Sequence, residues 1–321
     1  MVMLQQMIVM FLMMAVGYLC YRKQILTEEV SKKVSAIVVN VANPCMILSS
    51  SLTDQQMRGK ELLQTLVIVV LMYAFLLVVA QLLPKILRIR KESRGAYAAM
   101  TVFANIGFMG FPILSAMYGN GALLYGSVFQ IPFNILIYTY GVAVLTTKPD
   151  AHEKSANKES IREQQGKIQG TAEIVKKIIN IGVIACIAAM LIYFLRIPVP
   201  SFLQAFITNL GNLTAPLSMM IIGASLVQMP LKELFLDKKL LLFSLVKLLL
   251  LPAVWMIMVN RVAEQEILRG VCLVMMATPA GSMTAMLAQQ YGGDYETASR
   301  GVALTTVLSV ITMPLLAAVF L

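Results

Sequence analysis

Ten stretches of about twenty mostly apolar residues, parted by short basic loops, constrain this chain more than any other feature. A helix needs about 20 apolar residues to cross the hydrocarbon core of a bilayer. The stretches 2–21, 34–52, 62–83, 95–118, 121–147, 173–195, 201–228, 239–259, 267–290 and 297–320 all meet that length. Of the 321 residues 59% are hydrophobic and 13% charged, against about half and a quarter in soluble domains. The sequence therefore predicts an all-α polytopic membrane protein with ten transmembrane helices.

The formal net charge of +10 does not point to nucleic acid. Its Lys and Arg sit in clusters between apolar runs and show no aromatic-interleaved basic patch, so no nucleic-acid partner is expected. Cys20, Cys45, Cys186 and Cys272 lie in or beside apolar segments without metal-ligand spacing, and read as small buried apolar residues. The single His152 lies in a polar loop. No HExxH or Ser/His pair lies in the spans, and YGGDY at 291–295 lacks the spacing of a catalytic motif. No enzyme activity, metal or cofactor is expected. The first run lacks a basic leader and a small-residue cleavage site, so it is expected to stay as a span.

The polar stretch 148–172, KPDAHEKSANKESIREQQGKIQGTA, divides the chain into 1–147 and 173–321, with five spans in each part. Alternate loops hold twenty Lys and Arg on one side, including the seven in and around 148–172, and five on the other. The positive-inside rule then puts that linker in the cytoplasm of a cell-membrane protein and both termini outside. The halves echo each other. Arg94-Gly95 and Tyr118-Gly119 frame the fourth span as Arg269-Gly270 and Tyr291-Gly292 frame the ninth. Asn40 and Asn43 precede Pro44 in the second span as Asn209 and Asn212 precede Pro216 in the seventh. Two copies of an odd-numbered unit must lie upside down to each other, which is the inverted repeat of secondary transporters.

Spans four and nine carry helix-unfriendly residues at matching places: FANIGFMGFPI at 103–113 and ATPAGSMTA at 277–285. Paired interruptions of this kind mark a transporter's binding site near the midplane. Helices 4 and 9 are thus expected to break and cross, and to present two half-helix N-termini to an anion. The candidate site residues are Asn105, Gly107, Pro112, Pro279, Gly281 and Ser282, joined by Asn43 and by Gln130 and Asn134, which share a face of the fifth span. Each Asn and Gln could equally be interhelical glue. Every Asp and Glu lies in a loop or at a span edge, so the cation-exchange carboxylate of an antiporter is missing and an anion is the better cargo. Lys247, the one charge inside a span, either snorkels to the cytoplasmic face or points inward, where it would stand in for a coupling cation.

These residues carry a family resemblance. NIGFMGFPILSAMYG at 105–119 resembles the fourth-helix pattern of the auxin efflux carrier family, the bacterial relatives of the plant PIN auxin transporters. TPAGSMTAMLAQQYG at 278–292 resembles the ninth-helix pattern more loosely, and VFQIPFN at 128–134 the fifth. The resemblance implies two inverted five-helix repeats. Helices 1, 2, 6 and 7 would form a scaffold, and 3–5 with 8–10 a moving transport domain. It also implies that Asn105, Pro112, Gln130 and Pro279 bind substrate, that Asn105 meets a carboxylate, and that a homodimer is possible. The chain departs from the plant pattern in having Pro-Ala-Gly-Ser at the ninth-helix break and in lacking the long cytoplasmic loop. Small carboxylates such as malate or malonate are the cargo the bacterial members imply. The expected function is secondary active or facilitative transport of small organic anions, in the efflux direction, by alternating access. The alternative is a sodium-coupled organic-anion symporter of the bile-acid type.

Overall fold

A computed structural model describes residues 2–52, 59–146, 181–227 and 236–321. The proposed linker 148–172 and His152 lie outside the described residues. Within them the chain is helical, and six helices are long and apolar enough to span a bilayer. In chain order the helices are α1 (Val2–Arg22), α2 (Glu28–Leu52), α3 (Gly59–Ile86), α4 (Arg94–Val102), α5 (Ile106–Tyr118), α6 (Ala122–Leu145) and α7 (Ile181–Phe194). They continue with α8 (Ser201–Gly211), α9 (Thr214–Val227), α10 (Lys238–Val262), α11 (Glu266–Ala277), α12 (Ser282–Gln290) and α13 (Tyr295–Phe320). The second span begins six residues before its apolar run because Thr27 caps it, accepting a hydrogen bond from the Val30 amide, with Glu28 and Glu29 in the first turn.

The outer surface is apolar. Leu66, Val70, Leu71, Ile184, Leu191, Ile257 and Ile311 are among many large hydrophobic side chains left exposed, more than water would tolerate on a soluble protein. The interior is apolar too, with Phe103, Phe111, Phe129 and Phe243 fully buried. A surface as oily as the core is the pattern of a protein solvated by lipid.

Close helix approaches depend on glycine. Gly17 of α1 lies against the Met220 backbone of α9, and Gly223 of α9 against the Met14 backbone of α1, so no Cβ fits at either. Gly211, the last residue of α8, lies on the Cys45–Met46 backbone of α2, where an added Cβ would sit 2.9 Å from Met46 Cα. Gly119 and Gly292 take φ of 75° and 73°, a left-handed conformation that ends the helices before them at little steric cost.

Four helices widen locally into π-turns, at Val38–Ala42, Ile106–Gly110, Ile137–Gly141 and Val246–Leu250. Three of them are followed two residues later by proline, at Pro44, Pro112 and Pro252. A proline ring clashes with the carbonyl four residues back and supplies no N–H to it. In all three cases that carbonyl, of Asn40, Phe108 or Leu248, belongs to the central residue of the π-turn. The extra residue per turn moves the carbonyl aside and lets the helix run through.

Candidate functional site

The fourth span is broken where α4 ends, and the ninth where α11 ends. Phe103 is extended (φ −100°, ψ 97°), as are Thr278 (φ −61°, ψ 146°) and Gly281 (φ −71°, ψ 138°). The two extended pieces lie antiparallel, with Ala104 opposite Ala280. The Asn105 N–H donates to the Pro279 carbonyl at 2.7 Å, and the Gly281 N–H to the Phe103 carbonyl at 2.8 Å. Backbone groups orphaned by one break are thus satisfied by the other, as burial in an apolar medium demands. Proline has no N–H to give, and Pro279 enters this pairing through its carbonyl alone. A Cβ on Gly281 would sit 3.1 Å from the Ala104 carbonyl oxygen, so the contact needs small residues.

Two further helices brace the crossing. The Ala280 N–H donates to Thr305 Oγ1 of α13 at 3.1 Å. Lys247, in the π-turn of α10, is 2% exposed and donates from Nζ to the Thr101 carbonyl at 3.3 Å, in the last turn of α4. It does not snorkel; its ammonium lies at the negative end of the α4 dipole. Phe103 meets Phe133 of α6 edge to face, with centroids 5.6 Å apart, which seats α6 beside the break.

On the other side of each break a helix begins. Neither Asn105 before α5 nor Gly281 before α12 caps its helix with a side-chain hydrogen bond. The Ile106 N–H turns back to the Ala104 carbonyl and the Thr284 N–H to the Gly281 carbonyl, both at 2.9 Å. This leaves the amides of Gly107 and Phe108 in α5 and of Ser282 and Met283 in α12 as the first-turn donors for a ligand. Each N-terminus carries about half a positive charge.

The candidate residues divide by position. Asn105, Pro279 and Gly281 form the crossing itself, all three buried, and the half-buried Ser282 opens α12. Asn43 Nδ2 lies 3.4 Å from the place a Gly107 Cβ would take, so α2 meets the start of α5 there. Asn43 Oδ1 is buried without a partner, as is Gln130 Oε1, while Asn134 Nδ2 donates to the Gln130 carbonyl at 2.9 Å. Pro112 stands apart from the break. The break precedes it by seven residues, and both it and Gly107 lie inside α5. The proline's effect is absorbed by the π-turn around Phe108, leaving Phe103 to Asn105 to carry the discontinuity. Asn40, Asn209 and Asn212 are exposed, unlike the buried residues of the crossing. Thr101 and Thr305 escaped the sequence reading. The signal for Thr305 was the run of hydroxyl residues at Thr305, Thr306, Ser309 and Thr312 along one apolar span, all buried.

The described residues hold no cluster of three or more His, Cys, Asp or Glu suited to a metal ion. Residues 2–317 match the family described as membrane transport protein, a family of transporters rather than enzymes. A protein described as an uncharacterized transporter of Methanocaldococcus jannaschii is 24% identical over 313 residues, spanning 96% of each chain. With apolar helices, a lipid-like surface and a family match over nearly its whole length, this chain belongs to the membrane transport protein family of multi-pass transporters.

Proposed function

We propose that the chain carries small organic anions of the carboxylate class across the cell membrane by alternating access, with the site at the crossing of the fourth and ninth spans. The observation that carries this reading is the reciprocal pairing of Phe103–Asn105 with Pro279–Gly281, which holds two uncapped helix N-termini together at one depth. A carboxylate finds amide donors there and a favourable potential. Asn105 is the first side chain at the break and the natural partner of the cargo's carboxylate. Gly107 lets the cargo approach the α5 backbone, Ser282 offers a hydroxyl at the start of α12, and Asn43, Gln130 and Asn134 line the approach.

The ten-span, inverted-repeat arrangement belongs to the same proposal, with 1–147 and 173–321 as its halves. Helix contacts recur in matched pairs across the halves: α1 with α9 and α7 with α2, α3 with α4 and α10 with α11, α4 with α13 and α11 with α6. Cytoplasmic placement of the linker and external termini follow the charge bias of the loops, and the efflux direction follows the family resemblance.

Purified protein in liposomes is expected to move radiolabelled malonate, malate or indole acetate, and Asn105→Ala to slow that movement more than tenfold. Wild-type rates in Asn105→Ala would remove this residue from the site. Failure of the wild type to move any carboxylate would remove the anion reading.

A further inference from the structure

A hydroxyl in a helix ordinarily turns back to a carbonyl one turn earlier. Thr101, Ser127, Ser225, Ser244 and Thr305 all do so here, at 2.7 to 2.9 Å. Thr214 and Ser218 of α9 do not. Both are fully buried, and neither side-chain oxygen has a hydrogen-bond partner. A buried hydroxyl left without a partner is costly, so two on one helix call for a reason.

Their placement supplies one. Residues four apart share a helix face. Met220 and Gly223 turn toward α1, and at about 100° per residue Ser218 points roughly 170° away from them. Thr214 and Ser218 therefore turn from α1 toward the other helices packed on α9, which are α2 and α5. Those helices bring Asn43, whose Oδ1 also lacks a partner, and Gly107 at the uncapped start of α5. Seven residues past Ser218 on the same face, Ser225 is exposed. The face thus runs from full burial beside the broken span to exposure near the far end of α9.

We infer that Thr214 and Ser218 form the α9 wall of the cargo site and donate their O–H groups to a carboxylate when α9 and the start of α5 part to admit it. This rests on the anion-carrier reading above. Neutral hydroxyls suit a carrier, because they bind an anion while it dwells and, bearing no charge, release it. In the packed state shown here the same hydroxyls stay unpaired, which favours the opened, occupied arrangement.

The test uses the full chain in liposomes, with Cys20, Cys45, Cys186 and Cys272 replaced by serine and a single cysteine returned as Thr214→Cys or Ser218→Cys. The probe is an anionic, membrane-impermeant methanethiosulfonate. Both cysteines are expected to react within minutes, and whichever of malonate, malate or indole acetate the wild type transports should slow the reaction at least fivefold. Cysteines that stay inert, or that react at a rate indifferent to the transported anion, overturn the inference. If the wild type transports none of the three, the anion reading fails by itself. Labelling then still decides whether this face opens to water, and inert cysteines reject it. Ser218→Ala provides the second arm: KM should rise about tenfold while the melting temperature holds or increases. A clear fall in melting temperature would mark the hydroxyl as structural and sink the proposal.

Discussion

Thr305 carries more of the site than its modest chemistry suggests. Its hydroxyl accepts the Ala280 N–H while donating to the Gly301 carbonyl of its own helix. Thr305→Val keeps the shape but leaves a buried amide unpaired, a loss of about 1–3 kcal/mol. Thermal unfolding in detergent should show a drop of several degrees for Thr305→Val and almost none for Thr305→Ser. Lys247 invites the opposite expectation. Burying an ammonium costs desolvation that a single carbonyl does not return, so an apolar replacement of similar volume often leaves stability unchanged or higher. Lys247→Met should therefore hold its melting temperature yet transport at least tenfold more slowly, because the charge facing α4 is gone. Wild-type transport should be the same in sodium as in choline buffer, since a resident cation already occupies the end of that helix. Dependence on sodium would favour the symporter reading.

Among the elements, the π-turns show what the residues disclosed and what they withheld. The proline and two glycines in FANIGFMGFPI announced an irregular helix, and the helix is irregular. The motif could not say that Pro112 would be absorbed by a wider turn while the chain broke at Phe103–Asn105. That choice depends on Ala104 finding Ala280, a partner some 175 positions away that no local propensity can register. Asn105, Pro279 and Gly281 were legible because they sit where helix-breaking composition and pairing coincide. Thr214 and Ser218 were not, since hydroxyls in an apolar span look alike until the orientation of α9 against α1 is known. Pro112→Ala gives the π-turn at 106–110 freedom to tighten into an α-turn, which would rotate Asn105 and Gly107 relative to the rest of α5. The expected result is unimpaired folding with transport reduced severalfold; an unchanged rate would show that the turn width does not position the site.

At the scale of the molecule, hydropathy disclosed the all-helical class and the approximate bounds of the long apolar helices. The positions of tight packing lay beyond it, because they follow from backbone geometry. One connection between the halves lies in a loop. The Ser93 hydroxyl donates to the Asp294 carboxylate, which caps α13 by accepting from the Thr297 N–H at 3.0 Å. Burial alone would raise the Asp294 carboxyl, but the bonds from Ser93 and Thr297, helped by Arg300, outweigh it and hold it below its ordinary 3.8. A carboxyl lowered by folding adds stability above its unfolded value and loses it as the pH drops through the folded one. Unfolding followed from pH 6 downward should therefore steepen below about 4 in the wild type, and less so in Asp294→Asn. At neutral pH Asp294→Ala, which removes the cap altogether, should cost about 0.5–2 kcal/mol.

The pairing of Ala104 with Ala280 has a consequence for how the protein comes into being. Each interrupted span supplies the hydrogen-bonding complement the other is missing, so a ribosome that has released only the first half has made something unfinished. Fragments 1–147 and 173–321 expressed apart should be degraded, whereas co-expressed they should assemble and survive. Two independent survivors would mean that each half had mended its own fracture.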